Sequence, residues 1–176
     1  MRSTLQEFSA VDALEHNLLR GAGRWVADLT EFFRDYRISD TVFALYARGK
    51  TRSSGFIISR FFSSTVLPNY SVALFCVDAT TGTFNTDSLR KRIDVVAKVS
   101  REDDLRWAWL VVILAGNIQP SIVSFVSRYD KKELGLGVGS TSTKQIVLSD
   151  SQIGRSIEKH LKLSKALGDE KAGNTD

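Results

Sequence analysis

The 176-residue chain has little of what often announces a function: one cysteine, one methionine, two histidines and two prolines. Cys76 alone cannot close an internal disulfide, and one cysteine with two histidines cannot build the usual zinc cage. No apolar run approaches the roughly 18 residues that a membrane helix needs. Glu7, Asp12 and Glu15 stand where a secretory signal would be apolar. These absences predict a cytoplasmic protein with no membrane partner. Repeats and low-complexity tracts are missing too, and the only linker-like composition lies at the end, so we expect one domain over 1–164 and a flexible polar tail over 165–176. What is present, 43% hydrophobic and 25% charged residues, is enough for a globular core and excludes disorder and fibres.

Hydrophobic periodicity divides the chain. Leu5, Phe8, Val11, Leu14 and Leu18 recur at steps of three and four, with Thr4-x-x-Glu7 as a capping box, and predict a first helix. Trp25, Leu29, Phe32 and Tyr36, at steps of four, three and four, predict a second. From Val42 the pattern changes to a hairpin, with arms over 42–46 and 56–62 and a basic tip over 48–55. Ser71 to Val77 is almost wholly apolar, as a strand covered on both faces is. A helix with Leu89, Ile93 and Val96 inward follows. Next come a buried strand from Trp107 to Leu114, a helix entered through Pro120, a glycine-rich stretch, a short strand over 145–148 and a last helix capped by Ser149-x-x-Gln152. The fold class expected is α/β, a three-layer mixed sheet flanked by helices in the order α-α-β-β-β-α-β-α-β-α.

Charge is unevenly spread. The formal balance is +4, but residues 48–101 carry nine Lys and Arg against three Asp, a surplus of six, while the rest of the chain nets about −2. Guanidinium forks and hydroxyls match phosphate oxygens, so Arg48, Lys50, Arg52, Arg60, Arg90, Lys91 and Arg92 are candidate contacts to nucleic acid. The plainer reading is that a hairpin tip is simply solvated and that Arg90 and Lys98 serve Asp94.

Asp78 ends the apolar strand at 71–77, the place where α/β sheets put ligands, and is a candidate catalytic residue and metal ligand with Asp40 or Glu15 as the second acid. Equally, it suits a turn before Thr80, Thr81 and Gly82. An acidic helix, antiparallel strands, an apolar strand ending in an acid, then helix and strand: over residues 5–115 this order resembles the core of the restriction-endonuclease-like superfamily, which includes archaeal Holliday-junction resolvases. In that family the last core strand carries an acid, any residue and a lysine, and the acid binds Mg²⁺ with an Asp of the preceding strand. The resemblance puts Asp78 at the acid and Thr80 at the lysine, and the segment 56–62 offers no carboxylate. It therefore implies a DNA-binding protein with a degenerate nuclease site, homodimeric as that fold often is on duplexes. Two alternatives stay open: an active Mg²⁺-dependent nuclease with a migrated site that recruits Arg90 or Lys91, and an interaction subunit of a larger complex docking through the face of Ser121, Ser124 and Ser127.

Other motifs point elsewhere than chemistry. Gly135, Gly137 and Gly139 have the wrong spacing for a dinucleotide loop and predict a twisted hairpin or edge strand. His16 and His160 lie 144 positions apart with no partner motif. Cys76, inside an apolar strand, is expected to be an inert core thiol. Trp107 and Trp109 are expected on one face of a strand, under a helix rather than stacked on bases.

Overall fold

The computed structural model describes residues 9–20, 25–26, 28–51 and 70–168. Its elements are α1 (Ala10–Arg20), β1 (Asp28–Ile38), β2 (Thr41–Thr51), β3 (Tyr70–Ala79), α2 (Thr86–Glu102), β4 (Leu105–Leu114), α3 (Pro120–Ser127), β5 (Leu134–Ser140), β6 (Ile146–Leu148), α4 (Gln152–Leu161) and α5 (Leu163–Gly168). The six strands form one open sheet in the order β1-β2-β3-β4-β5-β6. β1, β2 and β3 are antiparallel, β3, β4 and β5 parallel, and β6 runs antiparallel to β5.

Two successive crossovers in the same direction, β3-α2-β4 and β4-α3-β5, put α2 and α3 on one face of the sheet. There Leu89, Ile93, Val96, Ile122 and Val126 pack on Phe43, Phe75, Leu110 and Leu136. Helices α1, α4 and α5 cover the other face, over Leu45, Leu74, Cys76, Trp109 and Ile113. The three-layer α/β expectation holds. Strands β3 and β4, buried on both sides, account for the continuous apolar runs in the sequence. Trp107 and Trp109 share the α4 side, and the Trp109 indole N–H donates to the Ile153 carbonyl (3.0 Å) and Ser156 Oγ (3.1 Å). Among the described residues no helix is long and apolar enough to cross a membrane.

Several boundaries differ from the sequence expectation. The second helix is the strand β1. Its helix-like spacing arises because β1 is an edge strand with two irregularities: the register slips between Leu29 and Glu31, and Asp35 adopts a left-handed φ of 51°. The second irregularity resets the pleat. Phe33 and Tyr36, three apart, both stack on Tyr46, while Phe32 packs on the opposite face. A tight turn at Ser39–Asp40, with Ser39 at φ 54°, joins β1 to β2, and residues 52–55 of the expected basic tip lie outside the described residues. Arg48 to Lys50 lie within β2, and the expected second arm at 56–62 lies outside the described residues. The glycine-rich stretch is the first arm of a hairpin, β5–β6, yet an interior strand and not an edge. The expected capping box Thr4-x-x-Glu7 lies outside the described residues; within them Ser9 and Asp12 form one at the start of α1, with Asp12 Oδ2 accepting from the Ser9 amide (2.9 Å) and Ser9 Oγ from the Asp12 amide (3.1 Å). For α4 the cap is Ser151, accepting from Gly154 N at 2.9 Å, whereas Ser149 is buried and accepts from Leu136 N. Of the tail expected from 165, residues 165–168 belong to α5, where Ala166 and Leu167 are buried, and 169–176 lie outside the described residues.

Candidate functional site

Asp78 ends β3 on the solvent side of an otherwise buried strand, and is exposed. Its Oδ1 accepts hydrogen bonds from the Thr80 amide (3.0 Å) and the Thr80 hydroxyl (2.6 Å), the Asx turn that an aspartate makes where a strand stops. So the threonine at the position of the resembling family's lysine is bonded to the acid. Strand β2, which precedes β3, carries no carboxylate from Thr41 to Thr51. Among the described residues no group of three or more His, Cys, Asp or Glu side chains is arranged to hold a metal ion.

Glu15 serves another purpose. With Asp12 it faces the α1 side of β1, and both carboxylates grip Arg34, whose Nη2 lies 2.5 Å from Asp12 Oδ1 and also bonds Glu15 Oε2. Burial alone would raise the Asp12 carboxyl, but the Arg34 guanidinium and the Ser9 amide and hydroxyl together hold it below its ordinary value. Burial likewise disfavours the Arg34 charge, and its bonds to Asp12 and Glu15 more than restore it, raising its pKa. The cluster fastens α1 to the sheet.

The cations also separate into groups. Arg48 is only 23% exposed: Nη2 donates to the Asp103 carbonyl at 3.0 Å, and Nη1 lies 3.3 Å from Asp103 Oδ2 and 3.8 Å from Glu31 Oε1. It clamps the β1–β2 edge to the turn between α2 and β4. Beside it, burial, helped by the Glu31 charge, raises the Tyr46 phenol pKa. Arg90 pairs with Asp87 at 3.4 Å and lies over the Phe125 ring, and Lys98 pairs with Glu102, so neither is paired to Asp94. Arg52 and Arg60 lie outside the described residues. Lys50, Lys91 and Arg92 make no ion pair among the described residues. Arg90 stands some 20 Å of helix from the turn that holds Arg48, so the basic segment is not one patch.

Where Lys91 and Arg92 stand, one acid candidate joins them. An open pocket of about 310 Å³ is lined by Asp40, Thr41, Lys91, Arg92, Asp94 and Val95. The β2–β3 register brings the start of β2, and with it the Ser39–Asp40 turn, to the rim where β3 ends and α2 begins. Helix α2 starts there because the Asn85 side chain accepts from Ser88 N at 2.9 Å. Its buried stripe of Leu89, Ile93, Val96 and Val99 turns residues 91, 92, 94 and 95 toward the flank. Thr41 is buried, with its hydroxyl 3.4 Å from Asp40 Oδ1. Arg92 reaches the Ser88 carbonyl at 3.4 Å and lies 5.8 Å from the Phe84 ring, but its Nε, shielded from solvent, has no hydrogen-bond partner; neither does the buried Thr86 hydroxyl. Just beyond α3, burial and then the Asp94 charge push the Tyr129 phenol up to about 12. Two cations, two carboxylates and a hydroxyl suit a ligand that offers both an anion and hydrogen-bond donors.

From this pocket the sheet face on the α2 side of β1 and β2 runs past an aromatic stack to Lys50. Phe33 is 44% exposed, and its ring lies 5.0 Å from Tyr36 at 17° and 6.2 Å from Tyr46 at 15°. Lys50 is exposed at the far end of β2, paired in register with Asp28 and Ser71. Nine residues of strand, about 30 Å, separate Thr41 from Lys50. Trp107 and Trp109 are buried, as expected, and the exposed ring is Phe33, which lies inside the segment whose spacing predicts a helix. Thr41 and Val95 join the pocket without any motif in the sequence that singles them out. The one available signal was the step of three and four from Lys91 to Asp94 and Val95. No family model, no curated protein and no solved structure matches the chain.

Proposed function

We propose that this protein binds nucleic acid along the face of β1 and β2, between the Lys91–Arg92 pocket and Lys50, without using Asp78 for catalysis. The observation that carries this reading is the flat, exposed Phe33 ring on its Tyr36–Tyr46 stack, set between cations that have no ion pair among the described residues. Bases stack on such rings while Lys and Arg track the backbone, which favours single strands over duplexes. The order α1-β1-β2-β3-α2-β4, with α1 and α2 on opposite faces, also supports the restriction-endonuclease-like resemblance. Fluorescence anisotropy with a labelled single-stranded oligonucleotide tests the reading. Log affinity should fall with log salt by about 0.7 for each phosphate neutralised, and the slope should flatten by about that amount in Lys50→Ala and in Lys91→Ala. Phe33→Ala should lower affinity at least fivefold. No binding at low salt would end the proposal.

A second reading, a Mg²⁺-dependent nuclease with a displaced site, has one observation in its favour: Asp40 and Asp94 share their pocket with Lys91, the residue types that the resembling family combines. Cleavage that needs Mg²⁺ and vanishes in both Asp40→Asn and Asp94→Asn would support it. Cleavage that survives both would exclude the pocket.

A further inference from the structure

We infer that the pocket between the Ser39–Asp40 turn and α2 takes a single ribonucleotide unit, its phosphate on Lys91 and Arg92 and its sugar hydroxyls on Asp40. This deepens the nucleic-acid reading and rests on it for the choice of a nucleotide among phosphate-bearing polyols. Size comes first: about 310 Å³ is the low end of ligand pockets, room for one small polar molecule. Charge narrows the class. A bare phosphate would meet the two carboxylates as well as the two cations, whereas a ligand with an anionic end and a hydroxyl-donating end satisfies both pairs.

Hydrogen-bond capacity then places the ends. Arg92 makes one long hydrogen bond, 3.4 Å from Nη1 to the Ser88 carbonyl, and no ion pair among the described residues, so its guanidinium keeps donors for a phosphate. Lys91, exposed on the neighbouring position, supplies a second charge to the same anion. Asp40 is acceptor-only when ionised, and among the described residues its side chain has one hydrogen bond, the long 3.4 Å approach of the Thr41 hydroxyl. A vicinal ribose diol fills that capacity, and the 2′-hydroxyl is the group by which proteins tell ribose from deoxyribose.

Isothermal titration with adenosine monophosphate, its 2′-deoxy analogue, inorganic phosphate and alanine tests this. We expect the ribonucleotide to bind about tenfold tighter than the deoxynucleotide, a gap that closes in Asp40→Asn, and both to weaken in Lys91→Ala. Thermal melting of the variants confirms that they fold. Equal binding of the two nucleotides, tightest binding of phosphate alone, or preference for the zwitterion alanine would each overturn the inference. Oligonucleotide binding that persists in any of those cases preserves the broader reading. Ribonucleotide discrimination without oligonucleotide binding would preserve the pocket and end the broader reading.

Discussion

Gly135→Ala is the sharpest test of how closely α4 lies on the sheet. A Cβ at Gly135 would stand 2.7 Å from Gly154 N, 2.8 Å from Ile153 C and 2.9 Å from Gly154 Cα. Ordinary carbon contacts begin near 3.4 Å, so the backbone of α4 must retreat by at least about half an ångström, and no flexible side chain is there to yield. The retreat pulls the Ile153 carbonyl from the Trp109 indole, now 3.0 Å away at the centre of the α4-side core. Overpacking of this kind costs about 1–3 kcal/mol and a weakened buried hydrogen bond about 1 more, which gives about 2–4 kcal/mol in all. At about 2–4 °C per kcal/mol for a domain of this size, Tm should fall by about 4–16 °C. Differential scanning calorimetry with a matched urea titration measures both quantities. Gly116→Ala is the control: a Cβ there meets nothing within 4 Å, and its Tm should stay within about 2 °C of wild type. If Gly135→Ala melts with wild type, or if Gly116→Ala loses as much, close helix–strand approach is not what the glycine demands.

Burial, then the nearby Asp78 charge, pushes the Cys76 thiol up to about 12, so iodoacetamide at pH 8 should leave the native chain unmodified and label it once guanidinium unfolds it. Asp12 is held below its ordinary 3.8. A depressed carboxyl contributes stability above its unfolded pKa and loses it as pH falls through the folded one, so Asp12→Asn should melt below wild type at pH 7, with the gap closing beneath about pH 4. Arg48→Ala should cost about 1–2 kcal/mol, discounted for partial exposure, by releasing the Asp103 turn, yet leave the salt slope of oligonucleotide binding unchanged, since that guanidinium is already spent on Asp103 and Glu31. A flatter slope would show that Arg48 touches phosphate.

The centre of the sheet was legible because its residues answer to one constraint. Val72 to Val77 and Trp107 to Leu114 are covered on both faces, so burial dictates every position and the apolar run shows directly. Pro120 and the stripe of α2 were legible for the same local reason. At the edge the constraint relaxes. β1 is exposed on much of its length and changes pleat at Asp35, so Leu29, Phe32 and Tyr36 fell into a helical spacing by geometry rather than by helical packing. The alternating glycines of β5 misled in another way. Their meaning lies in α4 and α5, which come close enough that a Cβ at Gly139 would meet Leu167 at 2.7 Å. Of the site, the residue types were legible and the grouping was not. Nothing local ties Asp40 to Lys91, 51 positions later; only the register of β2 on β3 brings them to one rim. Equally, nothing local in the sequence ties Arg48 to Asp103, which the fold sets beside it.

That rim has a consequence for how such a chain can change over generations. The turn at Ser39–Asp40 and the connections at 80–85, 115–119 and 141–145 all meet there, at the ends where the parallel strands β3, β4 and β5 stop. Two of them are joined directly, the Thr141 and Ser142 amides donating to the Leu114 and Ala115 carbonyls. Beneath them lie strands whose every inward position is taken by a neighbour. Mutations at the rim can therefore accumulate and change its surface chemistry while the sheet below is inherited unaltered.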